Sequence, residues 1–349
     1  MQHLICAERA GEGPETGAVP AFAGRRELEE WSRRGLGGVV GGECAGRRRD
    51  ERRGRGGAGA AVDPRPDGRN RIVLGENLEV LARLPDGVFA LVYIDPPFNT
   101  GRRQERRRLR TERDDSGGDR TGFAGRRYRS TPAGVHGFPD RFPDLPAFLA
   151  PRLREAHRIL DPAGAFFLHL DYREVHYCKV LLDGIFGRAC FMNEIIWAYD
   201  FGGRPARRWP AKHDTILWYV KDPRRYTFRR DEMDRIPYLA PGLVAPEKAA
   251  RGKTPTDVWW QTIVPTQGRE KTGFTTQKPL AILNRIVRVH SSPGDWVCDF
   301  FAGSGTLGEA AARAGRRFVL VDQDPAAFRI MRRRLAFADP ACLRANELD

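Results

Sequence analysis

Residues 92–101, VYIDPPFNTG, place a carboxylate, two prolines and an aromatic ring directly after an apolar run. Consecutive prolines fix two backbone φ angles and remove two amide donors, so the loop is rigid and its carbonyl oxygens remain as acceptors. Asp95 and the carbonyl group of Pro96 can accept hydrogen bonds from an exocyclic amine, while a planar base stacks on Phe98. These bonds favour a tetrahedral nitrogen with a localised lone pair, which is what an electrophile requires.

A proline-rich turn without a ligand is the alternative interpretation of this segment. The position of Asp95 argues against it, because residues 89–94 form a continuous apolar run that predicts a buried strand. Open α/β sheets bind ligands at the carboxyl ends of such strands. The segment therefore predicts a binding site for a base that carries an amine.

A glycine-containing turn, AGSG at residues 302–305, joins an apolar strand at 295–301 to a helix. Glycine lets the backbone approach a ligand closely, and the helix N-terminus offers free amide donors. The turn is not a phosphate-binding P-loop, because no G-K-[ST] sequence follows it. Asp322 ends the next strand, where a carboxylate can bond ribose hydroxyl groups. The alternative is that Asp322 or Asp324 caps the helix that starts at Pro325.

Alternating apolar strands and amphipathic helices surround both motifs. We predict strands at residues 71–74, 89–94, 164–171, 191–199, 214–222, 295–301 and 316–322. We predict helices at residues 77–84, 145–160, 172–186, 278–290, 306–314 and 325–337. This alternation predicts an α/β fold, doubly wound around a mostly parallel sheet that helices cover on both faces.

Composition changes along the chain and suggests its domain organisation. Residues 1–69 are rich in glycine and arginine and lack periodicity, so we expect a disordered extension. A basic arm that contacts phosphates, or a gene start placed too far upstream, are the alternatives. Residues 70–339 are expected to form the folded domain and residues 340–349 a tail. Inside the domain, residues 101–135 are expected to be a flexible arginine-rich insert, and residues 201–272 are rich in proline, arginine and aromatics.

The formal net charge is +14 and the sequence pI is about 10. Such an excess of positive charge favours a polyanion as partner, because each phosphate contact releases condensed counterions; a G+C-rich genome is the alternative source of the arginine. The six cysteines include no C-x-x-C pair. No run approaches the roughly 20 apolar residues that a membrane span needs. We expect a soluble cytoplasmic protein without a structural metal.

The motif DPPFNTG, followed downstream by TQKPLAILNRIV and DFFAGSGT, resembles the amino-methyltransferases of DNA, which act on adenine N6 or cytosine N4. The order matches the arrangement in which the catalytic motif precedes the S-adenosylmethionine motif, and the resemblance covers about residues 70–339. It implies the fold of S-adenosylmethionine-dependent methyltransferases in permuted motif order. It also implies direct in-line transfer of the methyl group to a base flipped out of double-stranded DNA, without a metal.

The resemblance assigns roles to residues of this chain. The catalytic motif is Asp95, Pro96, Pro97 and Phe98. The implied cofactor-binding residues are Glu76, Thr276, Gln277, Lys278, Pro279, Asp299, Phe301, Gly303, Ser304, Gly305 and Asp322. Among them, Asp322 is the ribose carboxylate, residues 276–279 line the methionine end, and Glu76 stands where the family usually has aspartate near the adenine.

Contacts with DNA are expected from the arginine-rich insert and from residues 201–272, the region expected to recognise the target sequence. Candidate DNA-binding residues in that region are Arg204, Arg207, Arg208, Lys212 and His213. Arginine can bond guanine in the major groove, and Trp259 or Trp260 can wedge between base pairs. A sheet-edge position for His213 and a core position for the tryptophans are the alternatives.

We expect a sequence-specific DNA adenine-N6 methyltransferase, because serine more often opens the cytosine-N4 version of the catalytic motif. Cytosine N4 is the alternative target. RNA or protein-glutamine methylation is a further alternative, although those enzymes usually have the cofactor motif first. A DNA-binding protein without activity on the same scaffold is another. A cognate restriction endonuclease, and a monomer or a homodimer, remain open.

Overall fold

The computed structural model describes residues 67–114, 116–121, 125–265 and 268–348. The extension expected at residues 1–69 lies outside the described residues except for its last three. Among the described residues, no helix has the length and hydropathy needed to cross a bilayer.

Strands and helices alternate along the described chain. Strands β1 to β12 are Arg71–Leu74, Phe89–Ile94, Arg102–Arg113, Arg120–Thr121, Arg127–Asp140, Leu160–Leu170, Phe191–Ala198, His213–Val220, Val258–Trp260, Trp296–Asp299, Arg317–Asp322 and Ala341–Arg344. Helices α1 to α7 are Asn77–Leu81, Leu145–Ile159, Val175–Phe186, Pro246–Arg251, Leu280–His290, Thr306–Arg313 and Pro325–Arg334.

Nine strands form one sheet in the order β12-β1-β11-β10-β2-β6-β8-β7-β9. Neighbouring strands are parallel except where β8 pairs antiparallel with β6 and β7. The expected α/β fold with a mostly parallel sheet is confirmed. Strands β1, β10, β11 and β2 are adjacent, so their carboxyl ends lie at one edge.

Helix α2 shows how sequence sets these elements. Asp144 caps it by accepting a hydrogen bond from the Ala147 amide at 2.8 Å. Leu145, Leu149 and Leu153 are fully buried at helical spacing. One apolar stripe therefore packs α2 into the core, as residues 145–160 predicted.

The arginine-rich segment differs from the irregular insert that its composition predicted. Strands β3 and β5 pair antiparallel from Arg102 opposite Asp140 to Arg113 opposite Tyr128, and β4 extends the pairing. We call β3 and β5 the basic ribbon. Backbone pairing satisfies amide and carbonyl groups without an apolar core, so neither low hydropathy nor missing periodicity excludes a ribbon.

The end of the chain also differs from the expected tail. Strand β12 pairs parallel with β1, from Arg71 opposite Ala341 to Leu74 opposite Arg344, and completes one edge of the sheet. Leu348 is buried against the core. A strand of four residues is too short to show a period of two.

Candidate active site

The carboxyl ends of β1, β2, β10 and β11 open into a cavity of about 430 Å³. Residues that the sequence places far apart meet in its lining. Those among the expected site residues are Glu76, Asp95, Pro96, Pro97, Phe98, Thr276, Lys278, Asp299, Phe301, Gly303, Ser304 and Asp322. This edge of the sheet is where the sequence predicted ligand binding.

Asp95 follows β2 and forms an ion pair with Lys278. The Lys278 ammonium group donates to Oδ2 of Asp95 at 2.7 Å and lies 4.9 Å from the centroid of the Phe98 ring. The other carboxylate oxygen, Oδ1, is buried and has no hydrogen-bond partner among the described residues. Lys278, expected at the methionine end of the cofactor, thus also orients the carboxylate of the DPPF loop.

Several hydrogen bonds fix the two residues that follow Phe98. Asn99 has a φ of 54°, a left-handed conformation. Its amide donates to Oδ1 of Asp140 at 2.7 Å, and the Thr100 hydroxyl donates to Oδ2 of Asp140 at 2.5 Å. The Asn99 side chain donates to Glu174 at 2.6 Å and accepts from the Phe142 amide at 2.8 Å. The DPPF loop is therefore fixed to the base of the basic ribbon and to the start of α3.

A chain of buried polar side chains lies behind the DPPF loop. The Tyr93 hydroxyl is 2.7 Å from Nδ1 of His169, whose Nε2 is 3.2 Å from Oδ2 of Asp214. The Tyr199 hydroxyl donates to Oδ1 of Asp214 at 2.9 Å. His169 is fully buried, and its ring centroid is 5.8 Å from that of Phe98.

Burial and hydrogen bonding act in opposite directions on this chain. Burial is the largest single influence on Asp214 and disfavours its carboxylate, but the hydrogen bonds with His169 and Tyr199 and the positive charge of Lys278 together outweigh burial and lower the pKa of Asp214. Burial, followed by the charge of Asp95, raises the pKa of Tyr93 well above its ordinary value. Asp214 is therefore ionised and Tyr93 protonated at neutral pH. Sequence reasoning missed these residues, whose only signal is a polar side chain within an apolar strand.

Two glycines of the AGSG turn have left-handed backbone conformations. Gly303 has a φ of 50° and Gly305 a φ of 74°. An added Cβ atom would lie 2.9 Å from the Phe274 ring at Gly303 and 2.9 Å from the Met331 side chain at Gly305. The turn therefore requires glycine for both conformation and space.

Asp322 at the end of β11 holds the AGSG turn. Its Oδ2 accepts from the Gly303 amide at 2.8 Å, and its Oδ1 from the Asp324 amide at 2.9 Å. Burial raises its pKa to about 6. Asp324 is the residue that caps α7, since it accepts from the Ala326 amide at 2.8 Å. Burial also raises the pKa of Asp299, which accepts from the Phe301 amide at 2.9 Å.

Glu76 lies on the cavity wall after β1, where its carboxylate has two partners in the chain. Oε2 caps α1 by accepting from the Glu79 amide at 3.0 Å, and Oε1 accepts from Arg152 at 2.5 Å. The Arg152 guanidinium also lies 3.8 Å from the centroid of the Phe148 ring. Sequence reasoning did not identify Arg152 or Phe148, which line the same cavity from α2.

Three expected cofactor residues shape the walls and do not line the cavity. Gln277 is buried and bonds the Thr272 amide and the Glu270 carbonyl, both at 2.8 Å. Pro279 precedes α5, and Gly305 precedes α6. The contacts of Gln277 hold the chain that leads into Thr276 and Lys278.

The five candidate DNA-binding residues lie away from the cavity lining. Arg204 pairs with Asp200 at 2.9 Å, with both side chains exposed, and Arg207 and Arg208 are exposed. Lys212 donates to the carbonyl groups of Phe201 and Gly202. His213 is half-buried at the first position of β8, paired with Ala198. Of the tandem tryptophans, Trp259 is buried and Trp260 is 76% exposed.

No cluster of histidine, cysteine, aspartate and glutamate suited to a metal ion occurs in the part of the chain that the structure describes.

Comparison with known proteins gives a family match over residues 89–333, to the N6/N4 methyltransferase model described as DNA methylase. The type II methyltransferase M.HpaI of Haemophilus parainfluenzae is 26% identical over 252 residues, which are 72% of this chain and 69% of that protein. The DNA adenine methyltransferase YhdJ of Escherichia coli (strain K12) is 26% identical over 277 residues, 76% of this chain and 83% of that protein.

Solved structures share the fold. TTHA0409 of Thermus thermophilus, described as a DNA modification methylase, aligns with a TM-score of 0.50 and 22% identity, over 79% of this chain and 99% of that one. The cytosine-N4-specific PvuII DNA methyltransferase aligns with a TM-score of 0.51 and 15% identity, over 80% of this chain and 95% of that one.

Proposed function

The chain belongs to the N6/N4 family of DNA methylases, and we propose that it transfers a methyl group from S-adenosylmethionine to the N6 amine of adenine in duplex DNA. One observation carries the proposal: the DPPF loop and the AGSG turn line the same cavity, although they are far apart in the chain. An acceptor-rich loop suited to an exocyclic amine thus adjoins a turn suited to a nucleoside cofactor.

The cavity residues fit S-adenosylmethionine. Gly303 lines the cavity without a side chain, so its backbone can approach a ligand closely, and the half-buried Asp322 carboxylate beside it suits ribose hydroxyl groups. Thr276 and Lys278 line the wall that adjoins Asp95, which suits the methionine end. The cofactor supplies an electrophilic methyl group on a positively charged sulfur.

The residues of the DPPF loop orient the target amine for attack. Asp95 and the Pro96 carbonyl accept its hydrogen bonds, and Phe98 provides a face for the base. The ion pair with Lys278 at 2.7 Å fixes the carboxylate before the base arrives. Orientation of two reactants is worth about 7 to 11 kcal/mol in favourable cases, so the loop acts mainly by positioning.

Adenine is favoured as the target base by two observations. Aspartate opens the catalytic motif, and the relative YhdJ, aligned over 83% of its length, is named a DNA adenine methyltransferase. Family membership also favours DNA over the RNA and protein alternatives. Cytosine N4 is the second candidate.

We assign duplex recognition to residues 201–272. The exposed side chains of Phe201, Trp209 and Trp260 lie among the arginines of this region, which is a composition suited to phosphates and base edges. Because Arg204 is held by Asp200, we expect Arg207 and Arg208 to contribute more to DNA affinity than Arg204 does.

Labelled S-adenosylmethionine tests the proposed function. The chain is incubated with the cofactor and DNA, and the DNA is then digested to nucleosides. We expect label on N6-methyladenine. Label on N4-methylcytosine would identify cytosine N4 as the target, and the absence of label on DNA would contradict the proposal. Single-molecule sequencing of DNA from a host carrying the gene then identifies the recognition sequence.

A further inference from the structure

The buried chain behind the DPPF loop has no part in orienting the amine, and we propose that its histidine, His169, accepts the proton that leaves the target nitrogen. This inference rests on the proposed function. His169 lies on β6 next to β2, with Tyr93 and Asp95 on one side and Asp214 of β8 on the other. It therefore acts through Asp95, and no sequence motif marks it.

The transfer leaves one proton to be removed. A carbon–nitrogen bond forms as the carbon–sulfur bond breaks, so the amine nitrogen becomes positively charged until it loses a proton. Of the two acceptors in the loop, only the Asp95 carboxylate can take that proton, because the Pro96 carbonyl is too weak a base. Oδ2 of Asp95 is held by the Lys278 ammonium at 2.7 Å, which leaves Oδ1.

Oδ1 of Asp95 is adjacent to the imidazole. It is buried, lacks a hydrogen-bond partner among the described residues, and lies 3.9 Å from Nδ1 of His169. A hydrogen bond needs about 2.7–3.2 Å, so the two groups must approach by about 1 Å. Catalytic hydrogen bonds are often long in unliganded enzymes and shorten in the substrate complex.

The proton then passes from Oδ1 of Asp95 to Nδ1 of His169. The Tyr93 hydroxyl, 2.7 Å from Nδ1, must turn its proton away from Nδ1 as that nitrogen takes the proton. Asp95 returns to the carboxylate form. The resulting imidazolium keeps its second N–H on Asp214 at 3.2 Å, so the new positive charge faces a carboxylate.

The groups around His169 balance this charge. Asp214 is ionised, because its hydrogen bonds with His169 and Tyr199 and the nearby charge of Lys278 together outweigh burial and lower its pKa. The titratable or charged groups facing the imidazole or its partners, from each neighbouring element, are Tyr93, Asp95, Asp171, Tyr199, Asp214, Lys278 and Asp299. A histidine with a purely structural role between strands would not need an ionised carboxylate such as Asp214 on its second nitrogen.

Single-turnover methylation of DNA, measured across pH, tests the assignment. We compare the wild type with His169→Gln, which retains an amide, and with Tyr93→Phe, which removes one hydroxyl. Tyr219→Phe is the matched control, because the Tyr219 hydroxyl also donates to a carboxylate, Asp183 at 2.7 Å, but lies outside the cavity lining. Cofactor affinity and circular dichroism report folding for each variant.

With S-adenosylmethionine kept saturating at every pH, so that cofactor binding does not shape the profile, we expect His169→Gln to slow the single-turnover rate about 10²-fold and to lose an acid-side fall that the wild type shows. Tyr93→Phe should slow the rate less, and Tyr219→Phe should leave it unchanged. A full rate, or a uniform decrease with the wild-type pH dependence, in His169→Gln would overturn the assignment. If that variant does not fold, an unchanged rate and pH profile in Tyr93→Phe overturns it. A wild type that methylates no DNA overturns the proposed function as well.

Discussion

The Asp95 carboxylate, which we propose accepts hydrogen bonds from the target amine, is held in place by the protein itself. Lys278 binds one oxygen of the Asp95 carboxylate. Hydrogen bonds from Asn99 and Thr100 to Asp140 fix the chain that follows the DPPF loop. A loop held in this way loses little conformational freedom when the base arrives. Catalysis should therefore depend on Asp95 far more than cofactor binding does.

Asp95→Ala should lower the methylation rate by about 10²- to 10³-fold or more, as removal of a preorganised polar group does in other active sites. Cofactor affinity, measured by calorimetry, should change little, because we expect the AGSG turn and Asp322 to hold the nucleoside. Asp86→Ala is the control, since Asp86 is exposed and pairs with Arg158. Wild-type activity in Asp95→Ala would remove this residue from the mechanism.

Asp322 should make cofactor affinity depend on pH. Burial raises its pKa to about 6, and the ribose hydroxyl groups need the ionised carboxylate as acceptor. As pH falls below about 6, the protonated fraction rises, and affinity should fall by up to about tenfold per pH unit.

Calorimetric titration of S-adenosylmethionine at several pH values measures this dependence. Asp322→Asn should bind the cofactor more weakly at neutral pH and without the fall below about pH 6. Asp324→Asn, whose side chain caps α7, should retain the wild-type slope. Equal slopes in the wild type and Asp322→Asn would contradict the role given to Asp322.

The sequence predicted the two motifs of the site, because glycine, proline and aspartate each favour particular backbone conformations at turns. It did not predict Arg152, Asp140 or His169. A salt bridge from α2 to Glu76, or a carboxylate at the end of β5 that holds Asn99, depends on packing between segments far apart in the chain. Periodicity and local motifs carry no information about such pairs.

At the scale of elements, the alternation of strand and helix predicted seven of the nine strands of the main sheet, but not the edge strands β9 and β12. The seven predicted strands are mostly apolar, and the longer helices have an apolar stripe. The basic ribbon and β12 escaped prediction because the sequence of each lacks a long apolar run. Pairing of backbones, with the Asp140 contacts at the base of the ribbon, defines these strands.

The basic ribbon should contribute to DNA affinity through charge. It begins directly after the DPPF loop, and β3 alone carries seven arginines and two glutamates. A two-stranded ribbon fits the major groove of B-DNA. Because each neutralised phosphate contributes about 0.9 to the salt slope of binding, Arg106, Arg107 and Arg108 together should contribute up to about 3.

Replacement of these three arginines by glutamine should weaken DNA binding and reduce the slope of log K against log salt concentration. Fluorescence anisotropy with a labelled duplex measures both quantities. The matched control replaces Arg329, Arg332 and Arg333, which are exposed on α7. Equal slopes in both triple variants would show that the ribbon acts only through the net charge of the chain.

At the scale of the whole molecule, the stability of the fold should depend on pH through a histidine remote from the active site. His290, at the end of α5, is buried among aromatic rings, with centroids 4.4 Å from Trp218 and 4.9 Å from Phe167. Burial, which outweighs a hydrogen bond with the Thr227 backbone, lowers its pKa to about 3. The imidazole is therefore neutral in the folded protein above about pH 3.

Unfolding removes the burial that lowers the pKa of His290, so the exposed imidazole regains its ordinary pKa near 6.5. Between about pH 6.5 and pH 3 the unfolded chain binds a proton that the folded chain does not, so stability falls as pH falls through this window. The full contribution is present above about pH 6.5. At pH 4.5 about 2 to 3 kcal/mol of the free energy of unfolding should be lost through His290.

Replacement of His290 by phenylalanine should remove this dependence and retain the aromatic packing. Urea unfolding of the wild type and His290→Phe at several pH values gives the difference between their free energies of unfolding. Other titrating groups, including Asp322 with its opposite sign, contribute equally to both proteins and cancel in the difference. We expect the difference to shift in favour of the variant by about 1.4 kcal/mol per pH unit below pH 6.5; parallel curves would mean that His290 titrates alike in the folded and unfolded chains.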